Sequence, residues 1–226
     1  MEVCTGNWRQ TRRGASTGKS GKRKYCTRAV GEGKKNYKQA LKIAQDIGDK
    51  RGESADLSGL GHICFKLGKV EQAIDYFKQA LDIEQEIGYR HGEGIDLGNL
   101  GLAYAELDQM ERAIDYHKQA IDIAREIRDK RGEGNCLGNL GIAYTKLGQV
   151  EEATDYYKQA LQVAKETGDQ KQEGEWNENL GIAYADLGQV EKAIEYTEEA
   201  LVIFEELKSP NAEQARAFLE ELRTKE

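Results

Sequence analysis

The chain has 226 residues, a net charge of −7, 38% hydrophobic residues and 32% charged residues. No apolar run is long enough for a membrane-spanning helix or for the core of a signal peptide, so the sequence argues against both. The acidic balance also argues against general nucleic-acid binding by the main part of the chain.

The first 28 residues differ in composition from the rest. They contain eight Lys or Arg residues and one acidic residue, Glu2, which gives this segment a charge of +7. Because the whole chain carries −7, residues 29–226 carry −14. Residues 1–28 also lack hydrophobic periodicity, and we predict that they form a basic, disordered tail.

Residues 29–208 contain a unit that recurs every 40 positions. Residues 97–119 read LGNLGLAYAELDQMERAIDYHKQ, and residues 137–159 read LGNLGIAYTKLGQVEEATDYYKQ. A fixed period of this length is typical of a stack of identical supersecondary units. Such a stack offers a long grooved surface, which favours binding over catalysis.

Each unit is predicted to be a helical hairpin. Leu137, Leu140 and Tyr144 lie three or four positions apart and predict a first amphipathic helix, here named helix A. A second apolar stripe predicts helix B; its residues are Val150, Ala153, Tyr156, Tyr157, Ala160, Leu161 and Ala164. Gly148 and Gly168 end the two helices, and Asp49, Asp129 and Asp169 are expected to cap the helices A that follow them.

Residues 30–47 read as a helix B without a partner, and four hairpins follow that begin near Lys50, Arg90, Lys130 and Gln170. Residues 209–226 are predicted to form a C-terminal capping helix, with Ser209 as its cap and Pro210 in its first turn. The unpaired helix B leaves two explanations open. The chain is a piece of a longer array, or its start is unusual.

Small residues recur where helices A and B are expected to touch. On helix A they are Gly61, Gly101, Gly141 and Gly181. On helix B they are Ala73, Ala113, Ala153 and Ala193, and Ala80, Ala120, Ala160 and Ala200. A Gly inside a helix costs about 1 kcal/mol relative to Ala, so a recurrent Gly indicates close approach of the two backbones.

The pattern of Leu140, Gly141 and Tyr144 in helix A, with alternating Ala and aromatic residues in helix B, resembles the tetratricopeptide repeat in a 40-residue form. The chain is similar to the variant found in Pins-type adaptors of G-protein signalling, kinesin light chains and bacterial repeat arrays. This resemblance implies an all-α, right-handed superhelical solenoid of stacked antiparallel helix pairs. It also implies that helix A lines the concave side.

The resemblance places peptide ligands on that concave side. Beside the Leu-Gly pair stand Asn99, Asn139 and Asn179, whose amides can both donate to and accept from a peptide backbone. The same face is expected to carry His62, Leu102, Ile142 and Ile182, then Asn135 and Glu175, and at the far end Lys66, Glu106, Lys146 and Asp186. The alternative, that these Asn residues only cap or solvate helices, remains open.

The sequence contains no convincing catalytic or metal-binding pattern. Residues 14–20 read GASTGKS, but only three residues separate the two glycines, instead of the four of a phosphate-binding loop, and no strand precedes them. His62, His91 and His117 stand at three different repeat positions, and the four cysteines show no C-x-x-C spacing. We therefore predict no enzyme activity, no cofactor and no metal site, and buried reduced thiols that suit the cytoplasm.

The leading hypothesis is a non-enzymatic protein–protein interaction scaffold that holds a peptide segment of a partner against the helices A. The alternative is a sensing or autoinhibitory arm of a larger signalling ATPase or transcriptional regulator. A third hypothesis makes the basic tail a nucleic-acid or membrane anchor, although nucleic acid is not an expected partner of the array. Self-association through the exposed ends of the array is also considered.

Overall fold

The computed structural model describes residues 20–224, with the side chains of residues 32–224. Within this range the chain forms ten α-helices and no β-strand. Their bounds are α1 Ser20–Ile47, α2 Lys50–Lys66, α3 Val70–Ile87, α4 Arg90–Glu106, α5 Met110–Glu126, α6 Lys130–Lys146, α7 Val150–Thr167, α8 Gln170–Asp186, α9 Val190–Glu206 and α10 Asn211–Arg223. Residues 1–19 of the predicted tail lie outside the described residues. Helix α1 starts at Ser20, earlier than the hydrophobic pattern predicted.

The prediction of an all-α repeat array is confirmed. Helices α2, α4, α6 and α8 are the four helices A, and they begin at the predicted residues Lys50, Arg90, Lys130 and Gln170. Helices α3, α5, α7 and α9 are their partners, the helices B, and each packs most extensively against the helix A that precedes it. Helix α1 packs against α2 at one end of the array, and α10 packs against α9 at the other.

Local signals end and begin the helices as predicted. The side chains of Asp49 and Asp129 accept hydrogen bonds from the backbone N–H groups of Gly52 and Gly132, at 2.9 Å each. Asp169 accepts one from Gln172 N at 3.2 Å. A carboxylate in this position satisfies a backbone donor that has no partner inside the helix. Gly148 and Gly168 have φ values of 74° and 68°, the left-handed conformation in which Gly carries no steric penalty.

The interface between helices A and B is built differently from the prediction in one respect. The predicted Ala residues on helix B are buried, as expected. The groups that cover the recurrent Gly residues, however, belong to a neighbouring position of helix B. Phe77 covers Gly61, His117 covers Gly101, Tyr157 covers Gly141 and Thr197 covers Gly181. Three of these four glycines therefore make room for a ring, and not for the backbone of an Ala-rich stretch.

Stacked tyrosine rings join the end of each later helix A to its partner. Tyr144 and Tyr156 have ring centroids 5.1 Å apart with 12° between their planes. The pairs Tyr104–Tyr116 and Tyr184–Tyr196 repeat this arrangement at 5.3 Å and 5.5 Å. Stacked aromatic pairs contribute about 0.5–1.5 kcal/mol beyond the burial of their area. They therefore help to hold the two helices of a hairpin together.

The helices A lie on the inner side of the array. Helix α2 contacts α4, and α4 contacts α6, more extensively than any two neighbouring helices B contact each other. A stack of hairpins whose helices A are closer together than their helices B curves toward the helices A. We call the surface formed by the outward-facing residues of α2, α4, α6 and α8 the inner surface.

Helix α10 closes the second end of the described array. Ala215, Leu219 and Leu222 are buried, and Ala215 contacts Phe204 of α9. Ser209 Oγ accepts a hydrogen bond from Asn211 N at 3.3 Å, but the N-cap of α10 is Pro210, one residue after the predicted cap Ser209. None of the helices described here is long and apolar enough to cross a membrane.

Candidate peptide-binding surface

The structure places all eleven predicted site residues on helices A, and none of them is buried. His62, Lys66, Leu102, Asn135, Ile142 and Lys146 are exposed, and Asn99, Asn139, Glu175, Asn179 and Ile182 are half-buried. Helix periodicity explains this result, because the core positions of each helix A turn the other residues outward.

Aliphatic side chains form the middle of the inner surface. Leu102 on α4 is 40% exposed and Ile142 on α6 is 38% exposed. Ile95, about two turns before Leu102, is 46% exposed and was missed by the sequence reasoning. The sequence signal that could have identified it is the repeat itself, because Ile95 stands 40 residues before the predicted site residue Asn135. Exposed aliphatic residues that lie together, unlike single ones, mark interaction surfaces.

The three Asn residues of the inner surface have different surroundings. Asn99 Nδ2 donates a 2.9 Å hydrogen bond to Asp96 Oδ1 and lies 3.3 Å from His62 Nε2 on α2. Asn179 Nδ2 donates to the backbone oxygen of Glu175 at 3.0 Å. The Asn row is therefore partly structural, since two of its three amides already bond to the protein.

The first unit carries Gly59 in place of the Asn, and the structure supplies the reason. The phenol ring of Tyr37 on α1 lies over this position, so that a Cβ at residue 59 would come 2.6 Å from Tyr37 Cζ. An Asn side chain would displace the ring. Tyr37, which is 39% exposed, thus closes the inner surface at the α1 end.

Helices α6 and α8 are joined by one predicted site residue, Asn135, and by a residue next to another predicted site residue, Trp176 beside Glu175. Asn135 Oδ1 accepts a hydrogen bond from Gln172 Nε2 at 2.7 Å. The indole of Trp176 packs on Gly138, where an added Cβ would lie 2.7 Å from Trp176 Cζ3. Glu175 lies 3.6 Å from Lys171, and burial raises the pKa of its carboxyl. The Asn135–Gln172 hydrogen bond therefore joins two hairpins, whereas Glu175 is paired within its own helix.

The charges on the inner surface are mixed. Lys66 and Lys146 stand near the C-terminal ends of α2 and α6, and Glu106 and Asp186 stand at the same position of α4 and α8. All four are exposed. Alternating charge along this rim does not form the cationic cluster that a carboxylate clamp requires.

The described residues contain no group of three or more His, Cys, Asp or Glu side chains arranged to hold a metal ion. His117 is buried against Gly101, and burial lowers its pKa to about 4. Cys64 and Cys136 are buried free thiols, and burial raises the pKa of Cys136 to about 12. A thiol with so high a pKa is a poor nucleophile.

Solved structures from several organisms share this fold. BtubC (BKLC) from P. vanneervenii has a TM-score of 0.75 and 19% identity, and the match covers 87% of this chain and 84% of that one. Aspartyl phosphate phosphatase F from Bacillus subtilis has a TM-score of 0.75 and 20% identity, with 84% of this chain and 49% of the phosphatase covered.

A third structure is a signal transduction ATPase with numerous domains and a tetratricopeptide repeat sensor, from Pyrococcus horikoshii. It has a TM-score of 0.70 and 26% identity, and the match covers 79% of this chain but only 28% of the ATPase. Among curated protein sequences, none matches this chain.

Family models identify the repeats directly. A model described as tetratricopeptide repeat matches residues 30–86 and 94–166, and a second model of the same description matches residues 174–207. These ranges cover more than half of the chain and include all four hairpins. The chain belongs to the tetratricopeptide repeat family.

Proposed function

We propose that the chain is a non-enzymatic interaction scaffold that holds a peptide segment of a partner protein along its inner surface. The observation that carries the proposal is the group of exposed aliphatic side chains Ile95, Leu102 and Ile142. They lie on α4 and α6, in the middle of the concave side, next to Asn99 and Asn139. Apolar contacts flanked by amide groups are what an extended or helical segment needs for affinity and for its backbone hydrogen bonds.

Further support comes from the shape of the surface. Four helices A present the same positions at regular intervals, so a bound segment meets corresponding positions at each hairpin. The predicted residues His62, Lys66, Lys146, Glu175 and Ile182 belong to this proposed site. The proposal includes a cytoplasmic setting, which the free thiols of Cys64 and Cys136 favour.

The test replaces Ile95, Leu102 and Ile142 together with Ser. A partner isolated with the wild-type chain as bait is titrated against both proteins by calorimetry. Loss of roughly 1 kcal/mol per buried aliphatic side chain corresponds to an affinity about 100-fold lower. The matched control replaces Ile43, Ile47 and Val202, three exposed aliphatic residues of α1 and α9, with Ser. Equal losses in the two variants would contradict an inner-surface site.

A second candidate function is that of a sensing or autoinhibitory arm in a larger signalling protein. The supporting observation is the 26% identity to the ATPase with a tetratricopeptide repeat sensor, of which the match covers 28%. Both candidates use the inner surface for binding. A longer form of the chain that carries a nucleotide-binding domain would favour the second, and an isolated array that binds its partner in trans would favour the first.

A further inference from the structure

A chain of polar side chains connects the core to the inner surface at the junction of the first two hairpins. Glu84 of α3 and Asp96 of α4 are both buried, with 3% and 0% of their surfaces exposed. Glu84 faces Ser54 of α2 as well as Asp96. Asp96 in turn accepts hydrogen bonds from Ser58 Oγ and, at 2.9 Å, from Asn99 Nδ2. The connection therefore runs from Glu84 through Asp96 to Asn99.

This arrangement occurs once in the described array. The positions equivalent to Glu84 at intervals of 40 residues are Ala44, Ala124, Ala164 and Phe204, and those equivalent to Asp96 are Asp56, Cys136 and Trp176. The later junctions are thus apolar where this one is acidic. Buried charged groups destabilise a fold unless they are paired, so an acid pair at one junction alone indicates a role specific to that junction.

Burial raises the pKa of both carboxyls, and the hydrogen-bond pattern favours Glu84 as the one that holds a proton. Asp96 accepts two hydrogen bonds, one from Ser58 and one from Asn99, which suits an ionised carboxylate. Glu84 Oε2 is buried and accepts no hydrogen bond from the described residues. A proton on Glu84 makes it a donor toward Asp96, whereas two ionised carboxylates in contact would repel each other.

The surrounding charges agree with this assignment. Burial, and next the charge of Asp96, raise the pKa of Glu84 to about 8. Glu93 of α4 adds a further negative charge, which Arg90 compensates at 2.6 Å. Helix α2 contributes the hydroxyls of Ser54 and Ser58 and the imidazole of His62.

The Asn99 amide is oriented by the same network. Its nitrogen can only donate, so the group at 3.3 Å, His62 Nε2, must be an unprotonated acceptor. Although His62 is exposed as a whole residue, desolvation of its ring lowers its pKa. With its nitrogen directed to Asp96 and His62, Asn99 has its carbonyl oxygen left for a ligand.

We infer that Glu84 and Asp96 are positioning residues that hold Asn99 by its nitrogen, so that the inner surface at this junction offers a hydrogen-bond acceptor and selects an N–H donor of the partner. Suitable donors are a backbone N–H group or a Lys or Arg side chain. When Glu84 loses its proton, repulsion between the two carboxylates disturbs Asp96 and the amide bonded to it. The ligand-binding part of this inference rests on the proposed function, but the orientation of Asn99 does not.

Nuclear magnetic resonance of the isotope-labelled chain tests the inference without any partner. The side-chain amide resonances of Asn99, assigned with an Asn99→Gln variant, are followed from pH 6 to pH 9.5. We expect them to shift with an inflection near pH 8, together with the carboxyl carbon of Glu84. The His62 ring should titrate separately, below its usual pKa. Because no ligand is present, failure here is distinct from failure of the proposed function.

The Glu84→Gln variant supplies the decisive comparison. The Gln amide still donates to Asp96 but does not titrate, so the Asn99 resonances should keep their low-pH positions and lose the inflection. The matched control is Glu86→Gln, an exposed glutamate of the same helix, which should leave the inflection unchanged. A persistent inflection in Glu84→Gln would overturn the inference. The absence of any inflection in the wild-type Asn99 and Glu84 signals, which requires no variant, would do so as well.

Discussion

Tyr157 of α7 covers Gly141 of α6, and a Cβ added to Gly141 would lie 2.5 Å from Tyr157 Cδ1. Tyr157 is 3% exposed and packs in turn 6.1 Å from the indole of Trp176, centroid to centroid, so its ring cannot move aside freely. Residue 141 must therefore be Gly, because it faces the Tyr157 ring of its own hairpin and that ring is held in place by Trp176 of the next hairpin.

Replacing Gly141 with Ala should destabilise the protein, although Ala is the better helix former by about 1 kcal/mol. Overpacking against the Tyr157 ring costs about 1–3 kcal/mol and should outweigh that gain, which leaves a net loss of up to about 2 kcal/mol in the free energy of unfolding. Denaturant unfolding measures the change, with the surface variant Glu151→Gln as control.

A double-mutant cycle identifies the cause of that loss. In a Tyr157→Ala background the ring is absent, so Gly141→Ala should cost little or should stabilise. The same cost in both backgrounds would mean that the conflict lies elsewhere.

Asn177 of α8 is a residue whose replacement should increase the stability of the array. It is fully buried, and neither side-chain polar atom has a hydrogen-bond partner among the described residues. The equivalent residues of the other hairpins are Leu57, Leu97 and Leu137. Asn177→Leu should therefore stabilise the protein by about 1–3 kcal/mol, since an unpaired buried amide costs roughly that much.

Thermal and denaturant unfolding of Asn177→Leu measure this gain, and the reverse change Leu137→Asn serves as the companion variant. It should destabilise the array. A loss of stability in Asn177→Leu would instead indicate that the amide holds a bridging water.

The buried acid pair predicts how stability depends on pH. Glu84 has a pKa of about 8 in the folded chain and about 4.5 when unfolded, so between these values only the folded state binds the proton. Stability should then fall as pH rises. The lowered pKa values of His62 and His117 act in the opposite sense, but only below about pH 6.5, where unfolded His becomes protonated.

The useful window is therefore pH 7 to pH 8.5. Over this range the wild-type free energy of unfolding should fall by about 1 kcal/mol, as measured with urea at constant ionic strength. Glu84→Gln should remove most of this fall. A wild-type curve that is flat, or one that rises with pH in this window, would contradict a protonated Glu84.

Local features of this fold were predictable, whereas the side-chain contacts between helices were not. Gly168 ends one helix and Asp169 caps the next, and each does so through the backbone within one turn of the chain. The identity of these two residues was therefore enough to locate the helix boundary. Helix periodicity likewise predicted that Leu102 and Ile142 are exposed. The partner of Gly141 was misjudged, because spacing indicates which face a residue occupies but not how far the Tyr157 ring reaches.

The chemistry of the candidate site depended on residues that break the repeat. Asp96 replaces an apolar residue of the later units, and it changes what Asn99 can offer to a ligand. Tyr37 covers Gly59 because α1 lies against α2. Neither contact follows from a repeating pattern, since each joins side chains from different units.

Single Asn variants should separate the structural from the exposed members of the row. Asn99→Ala removes a donor from the buried Asp96 carboxylate and should cost about 1–2 kcal/mol of stability. Asn139→Ala should be neutral or should stabilise by up to about 0.7 kcal/mol, since Ala is the better helix former. Parallel urea titrations of the two proteins decide the matter. Equal effects would show that the Asp96 contact contributes nothing.

Replacing Asn99, Asn139 and Asn179 together with Ala should weaken partner binding while the array stays folded. A bound backbone would lose amide partners worth roughly 0.5–1.5 kcal/mol each, so the affinity should fall roughly ten- to a thousand-fold.

The matched control replaces Gln79, Gln119 and Gln159 with Ala. These residues are amides with the same spacing of 40 residues, exposed on the helices B, where each donates to its own helix. Calorimetry with the isolated partner, and circular dichroism of both variants, compare the two rows. If the Gln row matters as much as the Asn row, the partner binds the outer side. If helicity is lost in the Asn variant alone, the row is structural.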